Sequence, residues 1–448
     1  MSSSESPAPA STAPAAAPAP RISPRSAAAA VAICFGAIVF DGYDLIVYGS
    51  AVPALLAHPE WDMTPAQVGA IGSYALLGMF LGAITAGTLT DRFGRRRLFI
   101  VALTWFSLMM LLAALAPTPF ALGVFRFLGG LGFGGIPPTA IALVMEVAPA
   151  ARRHMINGLM LCGFPLGGVL AALLALFLLE PAGFRVLFAV GALPLVTLVP
   201  LALWLLPESP GFVARAGRAA RGQVRALFRG RAAVATLLFV VANFCGFLLV
   251  FGLNTWLPQL MRGAGYALGS ALAFLLVLNL GAIVGGLVGS SLADRFGSRW
   301  IATTLFVLAT ASLLLIAVPL PTVVLYALVF VAGAATTGNQ IVVYGYVAAH
   351  HPLASRATAL GVSSGVGRLG AVTGPVLGGA LLSAGVGLGG NVAIFALVAV
   401  LGALACALVP RATSTDEPAD DPADDPARTA HDTGSPGAAP APPARVQA

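Results

Sequence analysis

From Ala27 to Val409 the chain alternates long apolar runs with short polar or Pro/Gly punctuation. Twelve runs can be drawn, at 27–57, 66–89, 97–116, 119–145, 154–179, 185–206, 232–260, 267–292, 299–318, 322–348, 357–384 and 390–409. Most reach the roughly 20 residues that a helix needs to cross a bilayer core. The pattern predicts an all-α membrane protein with twelve transmembrane helices. The first run is too long for a signal peptide and lacks a cleavage site, so it is expected to stay in the membrane. Outside the runs, residues 1–26 are mostly Ser, Pro and Ala, and 411–448 form an Asp/Pro/Ala tail. Both tails are too poor in large apolar groups to fold, and disorder is expected there.

Composition agrees. Hydrophobic residues make up 58% and charged ones 9%, where a soluble domain carries roughly 25% charged. The 24 basic residues are all Arg, and twenty of them fall on one side of the predicted membrane. Arg185 and Arg262 lie on the other side, while Arg126 and Arg368 lie within runs. By the positive-inside rule both termini are cytoplasmic. The most basic loop, Arg215 to Arg231, follows the sixth run and divides the chain. An N-terminal six-helix half is expected over 27–206, a basic linker over 207–231 and a C-terminal half over 232–410. The net charge of +7 is spread over short loops and forms no continuous patch, so topology explains it better than a nucleic-acid partner. Cys34, Cys162, Cys245 and Cys406 lie in apolar runs without disulfide or zinc spacing. No cofactor, metal or enzymatic nucleophile–base arrangement is expected.

Asp41-Gly42-Tyr43-Asp44 interrupts the first run near its middle. One charge at the centre of a bilayer helix costs about 2.5–3.5 kcal/mol on the lenient insertion scale, so two carboxylates need a reason. Their i, i+3 spacing places them on one helix face, roughly 5–6 Å apart at Cβ. Binding a proton would relieve the cost, and this makes Asp41 and Asp44 candidates for proton coupling. The structural alternative is a pair of acids bonded to backbone or Arg. Arg126 and Arg368 lie deep enough in their runs to hold an anionic carboxylate bidentately away from water. Each could instead be locked to a carboxylate, with Asp41 and Asp44 the candidates for Arg126. Asn254, Asn339 and Gln340 are candidate polar contacts, because an unpaired amide in a span is costly. Gly130-Leu131-Gly132-Phe133-Gly134-Gly135 has no preceding strand and reads as helix packing, not a nucleotide loop.

The chain also repeats itself. Leu89-Thr90-Asp91-Arg92-Phe93-Gly94-Arg95-Arg96 recurs 203 residues later as Leu292-Ala293-Asp294-Arg295-Phe296-Gly297-Ser298-Arg299. Gly163-Phe164-Pro165-Leu166-Gly167-Gly168 resembles Gly374-Pro375-Val376-Leu377-Gly378-Gly379. A duplicated six-span unit puts a substrate site at the midplane between halves. If Val52-Pro53 matches Leu257-Pro258, Asp41 and Asp44 match Gly246 and Leu249. The scaffold therefore does not need acids at those positions.

The Asp-Arg-Phe-Gly-Arg-Arg loop, its degenerate copy, twelve spans and a basic central loop resemble the major facilitator superfamily. More narrowly, Asp41-Gly42-Tyr43-Asp44 with Tyr48-Gly49, Arg126-Phe127-Leu128-Gly129-Gly130 and Gly367-Arg368-Leu369-Gly370 are similar to the aromatic acid:proton symporters. The resemblance implies two six-helix pseudo-repeats and import of a benzoate-type carboxylate with a proton by alternating access. It further implies that Asp91, Arg92, Gly94, Arg95 and Arg96, with Asp294 and Arg295 in the second copy, gate the cytoplasmic ends of the helices. Tyr43, inside the signature, joins the candidate substrate contacts. The expected setting is a bacterial cytoplasmic membrane, with a monomer as the working unit and lipid, an aromatic carboxylate and a proton as partners. Another major facilitator carrier, or a sensor that binds without transporting, stays open at this point.

Overall fold

The computed structural model describes residues 24–149, 152–206 and 230–410. The expected tails, most of the basic linker and the Pro207-Glu208-Ser209-Pro210 motif lie outside the described residues. Regular structure among those described is helical throughout: α1 Pro24–Leu56, α2 Pro65–Phe93, α3 Arg95–Ala114, α4 Pro119–Phe133, α5 Ile136–Val147, α6 Arg153–Leu161, α7 Gly163–Gly191, α8 Leu198–Leu205, α9 Gly230–Gly263, α10 Leu268–Phe296, α11 Ser298–Ile316, α12 Thr322–Gly333, α13 Asn339–His350, α14 Leu353–Ser383 and α15 Leu388–Leu408. Eleven stretches are long and apolar enough to cross a membrane. One of them, Met155–Leu205, runs for 51 residues and is broken at Gly183, where φ is 72°. At about 1.5 Å per residue that is more than twice a bilayer core, long enough for two crossings and consistent with the twelve expected.

Sequence punctuation explains where the helices begin and stop. At the head of α2, Thr64 forms a capping box: its hydroxyl accepts from the Gln67 amide at 3.3 Å, and the Gln67 side chain accepts from the Thr64 amide at 2.9 Å. Pro65 follows at the first helical position, where its missing N–H is harmless. The turns between α2 and α3 and between α10 and α11 each use a left-handed glycine, Gly94 (φ 86°) and Gly297 (φ 88°). This is why the repeated loop carries glycine in both copies.

Packing shows the duplication directly. A Cβ on Gly78 would overlap the Phe127 carbonyl oxygen, and one on Gly281 would overlap that of Phe330. Gly130 lies as tightly on Ala75 as Gly333 does on Leu278. These pairs keep the 203-residue spacing seen in the loops. The next pair does not: Gly134 packs on Gly82 and Ala83, and its counterpart on Gly285 and Gly286 is Gly338, one residue further on. A π-helical turn at Ala334–Gly338 absorbs the extra residue. The first half breaks its helix at the same level, between α4 and α5. The second sequence likeness does not survive as equivalence. Gly167 packs on the α1 backbone at Val39, whereas Gly378 packs on the Trp256 indole, so the shared glycines answer different neighbours.

Contacts between the halves concentrate away from the Arg-rich ends. Ser73 donates to the Val372 carbonyl at 2.7 Å, and the Ala66 amide donates to Ser383 Oγ at 2.9 Å. Gly49 lies against the Asn254 carbonyl and Gly168 against the Asn279 side chain. Trp256 backs this seam, donating to the Pro375 carbonyl at 2.8 Å. Toward the Arg-rich side, an open apolar cleft of about 700 Å³ lies between the α1 residues Ala27, Val31 and Phe35, Val147 at the end of α5, and Ile156 and Met160 of α6.

Candidate functional site

Helix α1 can present two acids to the interior because Gly42, between them, lets α7 approach. A Cβ there would overlap the Phe164 carbonyl oxygen. Asp44 is fully buried and Arg126, from α4, is 3% exposed. Arg126 Nη1 donates to Asp44 Oδ1 at 2.6 Å and to the Asp44 carbonyl at 3.3 Å. The guanidinium lies 5.2 Å from the Tyr48 ring centroid and 5.9 Å from that of Phe188. Tyr48 is itself anchored, donating to the Val68 carbonyl at 2.6 Å. Met109, Met110, Ala113 and Phe133 wall the pair in, and the crevice beside it has no room for a water-sized molecule. Of the readings open for Arg126, this geometry is the locked pair. Asp44 Oδ2 and Arg126 Nε have no hydrogen-bond partner, so the pair is under-satisfied. Such a pair adds little net stability, but removing one partner leaves an uncompensated buried charge.

One turn earlier Asp41 is 3% exposed, and its Oδ1 has no hydrogen-bond partner. Arg368 of α14 lies near enough for its charge to act on Asp41, and Arg368 Nη1 is likewise buried without a partner. Each of these unsatisfied buried atoms carries a desolvation cost until it finds a partner. Gly367, beside Arg368, packs directly on Asn243 of α9. Asn243 accepts from Gln340 Nε2 at 2.7 Å and donates to the Phe239 carbonyl at 2.9 Å. Rings line the same neighbourhood. Phe247 is 6.2 Å from Phe251 and 6.4 Å from Tyr344, and Phe251 is 6.4 Å from Phe164 across the interface of the halves.

The structure thus gathers Asp41, Arg368 and Gln340 into one region, with Asp44 and Arg126 beside it. Asn339 is close in sequence but turns to α11, donating to the Ala302 carbonyl at 3.2 Å. Tyr43 spends its hydroxyl on the Leu187 carbonyl at 2.8 Å. Asn254 donates to the Val250 carbonyl at 2.7 Å and accepts from Asn279 at 2.9 Å, in the seam between halves. Asn243 was not singled out from sequence. Its signal was the one used for Asn254, an amide inside an apolar run.

The gating residues lie apart, at the Arg-rich ends. Arg95 is bonded to Glu146 at the end of α5, and Arg96 donates to the Leu203 carbonyl at 2.6 Å. Arg92 lies 5.6 Å from the Phe93 ring centroid. Asp294 and Arg295 are exposed. The side chain of Asp91 lies outside the described residues.

The chain also matches known proteins. A family model described as Major Facilitator Superfamily matches residues 34–290 and 272–443. The chain belongs to the major facilitator superfamily. Like other members of that superfamily it is a membrane transporter and not an enzyme. Among its relatives, a protein named as a gentisate transporter of Corynebacterium glutamicum is 38% identical over 394 residues, covering 86% of this chain and 88% of the relative. A benzoate transport protein of Acinetobacter baylyi is 36% identical, covering 77% and 81%. A 3-(3-hydroxy-phenyl)propionate transporter of Escherichia coli is 34% identical, covering 80% and 87%. Among solved structures, a D-xylose-proton symporter superposes with a TM-score of 0.72 at 18% identity, covering 86% of this chain and 98% of that one. At that identity the likeness concerns the fold alone.

Proposed function

We propose that this major facilitator carrier imports an aromatic carboxylate together with a proton. The observation that carries the reading is the unpartnered Asp41 carboxylate oxygen in the field of an unpartnered Arg368 donor, at the interface of the halves and among aromatic rings. Relatives named for gentisate, benzoate and other aromatic acids supply the substrate class.

The coupling follows from charge balance. Arg368 needs one anion. In the empty carrier Asp41 supplies it through the field. When Asp41 takes a proton, the substrate carboxylate replaces it at the guanidinium, where a bidentate pair is the strong arrangement. Asp44 and Arg126 hold the floor of the site, with no net charge between them. Proton and monoanion together move no net charge, so transport is driven by the pH difference and is insensitive to voltage.

With the Arg-rich side in the cytoplasm, the seam at Ser73–Val372 and Ala66–Ser383 closes the outer side. The conformation described is then inward-facing, with the apolar cleft as part of its release path. In this state the gating loops of Asp91 and Asp294 are expected to be disengaged. The carrier works as a monomer in the bacterial cytoplasmic membrane, with both termini inside.

The test is uptake of labelled 4-hydroxybenzoate, benzoate and gentisate into proteoliposomes with and without an inward proton gradient, with Asp41→Asn in parallel. Gradient-driven accumulation lost in the variant supports the reading. Absence of uptake of all three by competent wild-type protein refutes it.

A further inference from the structure

Gln340 holds the most informative unused group in the molecule. It is 8% exposed, and its Oε1 has no hydrogen-bond partner. Its orientation is set by the surroundings: Asn243 Nδ2 is committed to the Phe239 carbonyl, so Asn243 presents its oxygen, and Gln340 must answer with Nε2. That leaves the Gln340 oxygen as a buried acceptor without a donor. A Cβ on Gly246 would overlap this oxygen, so the glycine that stands in place of Asp41 in the second half is what makes room for it. The one-residue insertion of the π-helical turn lies just ahead of Asn339 and Gln340. It shifts both residues by one position relative to the first half.

A buried acceptor asks for a donor on the ligand, because leaving it unpaired carries the full desolvation penalty. Around it are Tyr344, whose hydroxyl is hydrogen-bonded to the Gln340 side chain but leaves Oε1 without a partner and lies within the field of Arg368, and Phe247, 6.4 Å from Tyr344. A carboxylate donates nothing once ionised, and a bare ring has no donor. A phenolic hydroxyl has one.

We propose that the Gln340–Asn243 pair reads a ring hydroxyl, so that the cargo is a hydroxylated aromatic acid held by its carboxylate at Arg368 and by its phenol O–H at Gln340 Oε1. This rests on the aromatic-acid reading above and narrows it. The Asn243 amide is a positioning group, since it orients Gln340 without needing to touch the ligand.

The experiment is binding to the purified full-length carrier in detergent, by titration calorimetry, of benzoate, the three hydroxybenzoate isomers and 4-methoxybenzoate. Wild-type protein should bind its best hydroxybenzoate roughly tenfold more tightly than benzoate, the net worth of one neutral hydrogen bond. Methoxybenzoate, which keeps the oxygen but lacks the donor, should fall with benzoate or below it. Gln340→Met should reduce the hydroxybenzoate-to-benzoate ratio to near one, through loss of hydroxybenzoate affinity. Gly246→Ala, which displaces the amide oxygen while keeping Gln340, should lower the ratio in the same direction and serves if Gln340→Met misfolds. A wild-type ratio near one, or a ratio that neither variant changes, overturns the hydroxyl reading and leaves the aromatic-acid carrier standing. Failure of wild-type protein to bind any of the five acids overturns both.

Discussion

The two halves use one scaffold for different chemistry. Phe127 and Gly130 of the first half occupy the places of Phe330 and Gly333 in the second, which puts Val329 where Arg126 stands. On the register that aligns Pro53 with Pro258, Gly246 and Leu249 stand where Asp41 and Asp44 do. Val329 and Leu249 are fully buried, so the second half is packed at those points without charge. It supplies instead Arg368 and the neutral amides Asn243 and Gln340. The first half thus holds the acids and a locked cation, and the second holds a cation whose Nη1 has no partner and an acceptor that is likewise unpaired. Symmetry in the backbone does not extend to the site, a difference that suits the coupling of two ligands proposed above.

The largest effect is expected from transplanting second-half residues into the first. Asp44→Leu or Arg126→Val alone should destabilise the protein by about 3–5 kcal/mol, because each leaves a buried charge without its partner. The double variant should recover most of that loss, since a buried pair replaced by apolar residues is often neutral. Thermal unfolding in detergent measures this, and equal destabilisation in single and double variants would show that the pair is not the coupled unit. The double variant should still transport poorly, with its site floor altered.

Asp41→Asn comes next. It should abolish accumulation against a gradient while leaving the melting temperature unchanged or raised, because the carboxylate it removes has an unpaired oxygen. Wild-type uptake should rise as the outside is acidified, and the Asn variant should give a flat profile. A variant that still accumulates substrate in response to acid would remove Asp41 from the coupling path.

Arg368→Lys keeps the charge but loses the planar fork, and should weaken apparent substrate affinity by roughly tenfold, about 1.4 kcal/mol. An unchanged affinity would count against a bidentate carboxylate contact. The smallest effect compares two helix starts. Thr64 caps α2, while Ala267, 203 residues on, begins α10 with no side-chain cap. Thr64→Ala should lower stability and Ala267→Thr raise it, each by about 1 kcal/mol. Unfolding curves that move in the same direction for both would show that local capping does not govern these ends.

Much of this was readable before any coordinates. The apolar runs dictate the crossings because an exposed backbone is untenable in lipid and a helix satisfies its own hydrogen bonds. The repeated Asp-Arg-Phe-Gly loop reveals duplication because only glycine suits the left-handed turn that both copies need. The acids stand out because charge in a span is expensive.

Only the tertiary structure could decide the partners. Along the chain Asp41 and Asp44 are equivalent acids three residues apart, yet one is locked to Arg126 and the other has an unpaired oxygen. Tyr43 lies inside the signature but points at the Leu187 carbonyl, and Asn254, which looked like a ligand contact, holds Asn279 in the seam. The π-helical turn is a single-residue insertion, invisible until Gly134 and Gly338 are seen against the same partners in each half. Hydropathy and spacing set which residues enter the membrane. Which buried polar groups meet depends on contacts between residues tens to hundreds of positions apart. For that reason the unpaired Gln340 acceptor could be found only in the folded molecule.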